Sequence, residues 1–155
     1  MHKVSVYFSS SLTRSFTLVE LIIVVIIVGI LASLGLTQYS TVVEKSRQAE
    51  AKVRLGVMRS LTYEYYLNGG DLTSLTNADL GVDSACHSTD FFKYLLGTQT
   101  STYVNLHAWR CTSGGKAPNY DREYRFFMRY YPSTGSSTWH CYYSDDSSPC
   151  FGLPG

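Results

Sequence analysis

Residues 16–36, FTLVELIIVVIIVGILASLGL, form a long apolar run that contains a few small or polar side chains and one acid, Glu20. About 20 consecutive apolar residues in a helix cover the hydrocarbon core of a bilayer, which is ~30 Å thick. The stretch therefore predicts a membrane-spanning helix. A carboxylate inside a bilayer costs about 2.5–3.5 kcal/mol on insertion scales, so we expect Glu20 to be functional and to have a partner.

Local helix chemistry also favours an acid at this position. Thr17 and Glu20 fit the T-x-x-E capping box, and an acid in the first turn suits the helix dipole. The dipole contributes about 0.3–1 kcal/mol, which is less than the insertion cost. Capping alone therefore does not explain why an acid stands here.

The residues around this acid form a recognisable junction. Arg14-Ser15 is followed by Phe16-Thr-Leu-Val-Glu20-Leu and a long aliphatic run, and this pattern resembles the N-terminal signature of type IV pilins and pseudopilins. The resemblance implies that a prepilin peptidase removes residues 1–15 as a leader and N-methylates the new terminus at Phe16. It also implies that the Phe16 amine neutralises Glu20 of a neighbouring subunit during filament assembly.

Two positions depart from the family pattern. Ser15 stands where the family usually has Gly before the cleavage site, although the residue is still small. Thr37 stands where many pilins have a helix-kinking Pro, so any bend would depend on Gly35. Beyond the N-terminal fifth of the chain, the resemblance is one of architecture and not of motif.

An ordinary secretory signal is the competing interpretation of residues 1–36. Lys3 and Arg14 precede the apolar run, and the small residues Ala32 and Ser33 would suit a cleavage site. Signal cores normally have about 7–15 apolar residues, however, which is shorter than this stretch.

Lys3 and Arg14 also mildly favour a cytoplasmic N-terminus, which places the rest of the chain outside the cytoplasm.

Periodicity predicts that the helix continues past the apolar stretch. No proline occurs between residues 16 and 67, and Gly69-Gly70 supplies a stop. Within 37–67, apolar residues recur at spacings of three, four or seven with charged residues between them, which indicates an amphipathic half. The predicted apolar stripe consists of Tyr39, Val42, Val43, Ala49, Val53, Val57, Leu61 and Tyr65.

The remainder, residues 68–155, is predicted to form a globular domain. Asp90 followed by FFKYLL at 91–96 predicts a short helix, because apolar residues pair at a spacing of four behind a possible cap. Alternation of inward and outward side chains predicts strands further on. These strands lie at 102–111, 123–131 and 138–143.

The length of 155 residues allows one compact domain plus a projecting helix. The fold class is therefore α+β. We expect a long N-terminal helix, transmembrane in its first half, packed on a C-terminal antiparallel β-sheet of three to four strands in a pilin-like arrangement.

The cysteines form an even set of four, Cys86, Cys111, Cys141 and Cys150. Outside the cytoplasm disulfides persist, and four cysteines allow three connectivities. We predict Cys86–Cys111 and Cys141–Cys150, because sequential pairing closes the shortest loops. The second pair also resembles the C-terminal disulfide loop of many type IV pilins. No C-x-x-C spacing supports a zinc site, although histidines lie beside two of the thiols, so we expect no metal.

The sequence carries no catalytic signature of the G-x-S-x-G, H-E-x-x-H or Walker type, so we expect no enzyme and no cofactor. The net charge of +1 gives no bulk reason for a polyelectrolyte partner. A basic patch with aromatic platforms for nucleic acid is an alternative, although a solvated strand face with its arginines paired to acids is the simpler interpretation. The patch would consist of Lys116, Arg125, Phe127, Arg129 and Tyr131.

The family resemblance implies a structural subunit of a type IV pilus-like filament. Its implied partners are identical subunits, the prepilin peptidase and the inner membrane before assembly, and the implied final location is an extracellular filament at the cell surface. Two alternatives stay open. One is a major pseudopilin of a type II secretion system, and the other is a single-span anchor for an extracytoplasmic binding domain, which would keep residues 1–15.

Overall fold

The computed structural model describes residues 16–118 and 123–143. Over these residues the chain forms one long helix, a short 3-10 turn and a sheet of four strands. It divides into two compact units, and the boundary falls between Ser40 and Thr41. The elements are α1 Leu18–Leu67, the turn Leu72–Ser74, β1 Phe92–Gln99, β2 Val104–Arg110, β3 Tyr124–Tyr131 and β4 Ser136–Tyr143.

The first unit contains the apolar part of α1. From Phe16 to Leu34 the large apolar side chains are 49–81% exposed, so every side of this segment presents hydrocarbon. By length and composition α1 is able to cross a membrane. An apolar surface of this extent requires lipid or other apolar chains around it.

The second unit contains an antiparallel sheet in the order β1-β2-β3-β4. Strands adjacent in sequence are therefore adjacent in space, which makes the sheet a meander. In β3 the residues from Tyr124 to Tyr131 alternate between buried and half-buried. The predicted alternation of this strand is confirmed, and its arginines share the outer side.

The core of the second unit combines side chains from α1, the sheet and the segment between them. Leu72, Leu75 and Leu80 anchor that connecting segment, and each is at most 4% exposed. Burying an aliphatic or aromatic side chain contributes about 1.5–3 kcal/mol. The fully buried core side chains of α1 and the sheet include Ala51, Leu55, Met58, Phe92, Leu106 and Phe126.

The face of α1 that packs on the core differs from the predicted stripe. Val53 is 71% exposed, and Tyr39, Val42 and Val57 are exposed as well. The first two residues of the buried face are polar, and an apolar pattern does not count them. Apolar periodicity therefore predicted the wrong side of the helix. Only Leu61 and Tyr65 of the predicted stripe pack against the core. The buried face consists of Glu44, Gln48, Ala51, Leu55, Met58 and Thr62.

The helix predicted at 91–96 is wrong, because residues 92–96 lie in β1. Phe92 and Leu96 pair with Arg110 and Leu106 across the sheet. A spacing of four is even, so it also places two side chains on the same side of a strand. Pairing with β2 therefore overrides the local helical pattern.

Candidate functional site

Glu20 begins α1 in a reciprocal cap with Thr17. The Thr17 amide donates to Glu20 Oε2 at 2.9 Å, and the Thr17 hydroxyl donates to the same oxygen at 2.7 Å. In return the Glu20 amide donates to Thr17 Oγ1 at 3.3 Å. Within residues 16–118 and 123–143 the hydrogen-bond partners of this carboxylate are thus uncharged, so its negative charge is not balanced there.

The predicted processing residues lie at the start of the described region or before it. Phe16 lies just before α1 and is exposed, whereas Arg14 and Ser15 lie outside the described residues. Cleavage between Ser15 and Phe16, and pairing of the Phe16 amine with Glu20, therefore stay predictions.

A buried ion pair between Arg110 and Glu44 connects several elements of the second unit. Arg110 is 1% exposed and Glu44 is 5% exposed, and the Arg110 Nε donates to Glu44 Oε1 at 2.6 Å. The Arg110 Nη1 donates to the Phe91 carbonyl at 2.8 Å, and its Nη2 donates to the Ala117 carbonyl at 2.7 Å. A single guanidinium thus joins α1, the start of β1 and the loop after β2.

The Glu44 carboxylate has two further neighbours. Arg47 Nη1 donates to its Oε2 at 2.8 Å, and the Tyr124 hydroxyl lies 3.5 Å from its Oε1. Burial, together with the charge of Glu44, raises the pKa of Tyr124 well above its usual range. A buried charge pair is costly to break, because the remaining partner stays unpaired away from water.

Sequence reasoning missed this pair, although one signal was present. Arg110 continues the inward series of β2 that begins with Val104 and Leu106, so period two places it on the core side. An arginine at such a position needs a buried acceptor. Its acceptor, Glu44, is 66 residues away in sequence, and no local pattern links the two.

A disulfide joins Cys86 to Cys111, the residue after the buried arginine. It is the first of the two predicted bonds, and the two Cα atoms are 5.9 Å apart. Cys141 lies in β4, but Cys150 is outside the described residues, so the predicted Cys141–Cys150 bond stays a prediction.

We define the outer sheet face as the side chains that project from the sheet on the side opposite the core. Its first row runs across all four strands, in the order Lys93, Trp109, Arg125 and Tyr142. Lys93 Nζ lies 4.9 Å from the Trp109 ring, and Arg125 Cζ lies 4.7 Å from the Trp109 ring and 4.3 Å from the Tyr142 ring. Cations and aromatic rings therefore alternate along this row.

The second row of the outer sheet face stacks Phe127 between two imidazoles. The ring centroids of His107 and Phe127 are 4.7 Å apart, and those of Phe127 and His140 are 4.9 Å apart. Burial, and secondarily the charge of Arg125, lowers the pKa of His107 to about 4. A Cβ atom on Gly97 would overlap the His107 ring, so this glycine makes room for the row.

The predicted nucleic-acid patch is only partly assembled. Arg125 and Arg129 share the outer sheet face, but Lys116 lies over the Phe91 ring instead. Among the described residues the arginines contact aromatic rings and not the acids that the simpler interpretation expected, and Arg129 also donates to Asn105 at 3.1 Å. The Phe127 ring is covered on both faces, so it offers no platform for a base.

These features define a class of protein. An exposed apolar helix with one acid in its first turn continues into a small domain, where its second half packs on an antiparallel meander. This is the α+β arrangement expected for pilin-like subunits.

Comparison with known proteins finds similarity to pilins over part of the chain. No family model matches the chain. No solved structure gives a significant match. The chain is 40% identical over 76 residues to a fimbrial protein of Neisseria meningitidis serogroup A, which covers 49% of this chain and 44% of that protein. It is 38% identical over 76 residues to the type IV major pilin protein PilE of Neisseria gonorrhoeae, covering 49% and 45%.

A third relative is a probable minor fimbrial protein of Dichelobacter nodosus, which is 45% identical over 60 residues, covering 39% of this chain and 37% of that protein. Over about half of its length the chain is thus similar to proteins named fimbrial protein and type IV major pilin. It spans less than half the length of these three relatives.

Proposed function

We propose that this chain is a structural subunit of a type IV pilus-like filament. The observation that carries the proposal is the apolar surface of residues 16–34, where the large apolar side chains are 49–81% exposed. In a membrane this surface is covered by lipid, and in a filament it is covered by the same segment of other copies. The role is assembly and involves no catalysis.

Assembly follows removal of residues 1–15 by the prepilin peptidase. Cleavage before Phe16 creates an amine close to the first turn of α1, where Glu20 has only uncharged hydrogen-bond partners among the described residues. In the filament the amine of one copy neutralises Glu20 of the next. The free-energy cost of burying both charges in an apolar core is then reduced, because each group is the counter-ion of the other.

The proposed location of the subunit follows from the two environments of α1, which are the membrane and the filament. Before assembly the subunit resides in the inner membrane, with its second unit on the outer side. After assembly it forms an extracellular filament at the cell surface together with identical subunits. The similarity to proteins named fimbrial protein and major pilin supports this proposal.

The decisive experiment combines two measurements on cells that express the full chain. Peptide mass spectrometry of the subunit is expected to find N-methylated Phe16 as the terminus, and electron microscopy of sheared surface material is expected to find long filaments. A processed subunit without surface filaments would favour the secretion pseudopilin. Retention of residues 1–15 together with the absence of filaments would favour the single-span anchor and refute the proposal.

A further inference from the structure

Two groups of like charge lie on separate parts of the second unit. Residues 68–91, which we call the acidic segment, contain four aspartates and neither Lys nor Arg. The outer sheet face carries Lys93, Arg125 and Arg129. No ion pair joins the two patches within one copy, as far as residues 16–118 and 123–143 are concerned. Each patch therefore has charge available for an external partner.

The acidic segment is a fixed surface. Its three buried leucines anchor it to the core, and the Cys86–Cys111 bond ties its end to β2. Asp71 accepts hydrogen bonds from the Thr73 amide and hydroxyl at 3.0 and 2.7 Å. Asp79 accepts from the amide and hydroxyl of Thr76 at 2.8 and 2.6 Å. These carboxylates are exposed, so they project from a rigid support and not from a flexible chain.

The same hydrogen bonds keep the acids ionised. They lower the pKa values of Asp71 and Asp79, and the bond from His87 lowers the pKa of Asp83. The acidic segment therefore stays negative well below neutral pH.

The first row of the outer sheet face is equally fixed. The Arg125 guanidinium lies between the Trp109 and Tyr142 rings, with its Cζ 4.7 and 4.3 Å from their centroids, and makes no hydrogen bond to any other described side chain. A guanidinium has five N–H donors in a planar fork that suits a carboxylate. The two ring contacts hold the guanidinium in place, its N–H donors have no acceptor among the described side chains, and Lys93 adds a second cation on the far side of Trp109.

We propose that the outer sheet face of one copy binds the acidic segment of the next copy. This inference rests on the proposed filament and names the contact that its second units make. Two different patches on one molecule form a heterologous contact, which continues into an open helical array when it does not close into a ring. A contact of this kind agrees with growth by addition of identical subunits.

Nucleic acid is the other occupant that a cationic aromatic face could bind, and the rows argue against it. Binding of single strands uses free ring faces on which bases stack. Trp109 has a cation near its ring from each neighbouring strand, and Phe127 has an imidazole on each side. The face therefore offers charge and N–H donors, which match carboxylates.

The test exchanges charge between the two patches in the full chain. The face variant carries Lys93→Glu and Arg125→Glu, two side chains with ring contacts but no hydrogen bond among the described residues. The segment variant replaces three of the four aspartates by asparagine, which can still accept the local hydrogen bonds, and adds lysines at exposed serines. Its substitutions are Asp71→Asn, Asp79→Asn, Asp83→Asn, Ser74→Lys and Ser88→Lys.

The readout is the ratio of sheared filament to membrane-bound subunit on immunoblots. We expect each variant alone to lower the ratio about tenfold or more, because like charges then face each other across the contact. The combined variant is expected to recover most of the original ratio. Lys116→Glu is the matched control, because this exposed lysine lies over Phe91 and off the outer sheet face.

Each outcome bears on the proposal. Recovery in the combined variant supports it, since a misfolded face would not be repaired by lysines elsewhere. Normal filaments from either single-patch variant, or a loss that the combination does not repair, would overturn it. Binding of DNA by sheared filaments that disappears in the face variant, with filament yield unchanged, would assign the face to nucleic acid. Absence of filaments from the unmodified chain would refute the proposed function instead.

Discussion

Arg110 Nε lies 2.6 Å from Glu44 Oε1, and both side chains are almost completely withdrawn from water. Because Arg110 also binds the carbonyls of Phe91 and Ala117, this pair determines where the second half of α1 meets the sheet. The alignment of the helix is thus specified by charge as well as by hydrophobic packing.

Neutralising the acid is expected to destabilise the second unit. Glu44→Gln leaves the Arg110 charge buried without a counter-ion, and breaking a buried pair costs about 3–5 kcal/mol. Glu50→Gln, an exposed acid on the same helix, is the matched control and should change stability by less than about 0.5 kcal/mol. The measurement is urea unfolding of the detergent-solubilised full chain, followed by tryptophan fluorescence. Equal stability of the two variants would contradict the assigned role of the pair.

The Cys86–Cys111 bond is expected to stabilise the same unit. The bond links residues separated by 25 positions, and the loop-entropy relation gives about 3.5 kcal/mol for a loop of this size. Cys86→Ser together with Cys111→Ser should therefore lower the free energy of unfolding by a comparable amount in the same assay.

Non-reducing peptide mapping of the unmodified chain tests the predicted Cys141–Cys150 bond. Recovery of Cys150 as a free thiol would disprove that second pairing.

Glu20→Gln separates the two interpretations of the acid in the first turn of α1. Glutamine can complete a capping box, so a residue that only caps the helix should tolerate the change. If the charge pairs with the Phe16 amine of a neighbour, the variant should be cleaved and inserted in the membrane but should not polymerise. Thr17→Ala is the complementary control, because it removes the threonine hydroxyl from the cap and keeps the charge; it should still form filaments. Normal filament yield from Glu20→Gln on immunoblots would reduce this residue to a cap.

His107 is expected to make stability depend on pH in a defined window. Its folded-state pKa of about 4 lies below the ordinary value of 6.5, so between these values the unfolded chain binds a proton that the folded chain does not. Stability is therefore lost as the pH falls from about 6.5 to about 4, with a slope of at most about 1.4 kcal/mol per pH unit. His107→Phe keeps a ring beside Phe127 and should reduce the slope in urea unfolding.

His87 is a control, because its pKa shift has the opposite sign. Its bond to Asp83 raises the pKa of His87, so its contribution is present below pH 6.5 and is lost as the pH rises through the raised value. His87→Gln should therefore leave the slope between pH 4 and 6.5 nearly unchanged. An undiminished slope in His107→Phe would exclude His107 as its source.

Features with local causes could be predicted from the sequence. The apolar run and the later absence of proline predict α1, because helix formation and membrane insertion depend on consecutive residues. The alternation in β3 is visible because one side of that strand is buried. The capping geometry of Thr17 and Glu20 also agrees with the T-x-x-E pattern.

Features with distant causes could not be predicted in this way. The segment containing Phe92 and Leu96 is a strand because β2 pairs with it, although its own spacing suits a helix equally well. The inner face of α1 begins with Glu44 because Arg110 lies opposite, and apolar periodicity does not register such a partner. The cation–aromatic row through Trp109 depends on the registers of four strands, which the individual strand patterns do not specify.

The Cys86–Cys111 bond also has a mechanical consequence. In the proposed filament, a subunit anchored through α1 experiences tension when the filament is pulled. An unfolding domain then lengthens by the contour of the chain that it releases. The covalent bond carries the force past the 25-residue separation that it closes, which includes β1 and β2. At about 3.4 Å per extended residue, roughly 85 Å of chain cannot be drawn out while the bond is intact. Oxidation thereby limits how far each subunit can stretch under load.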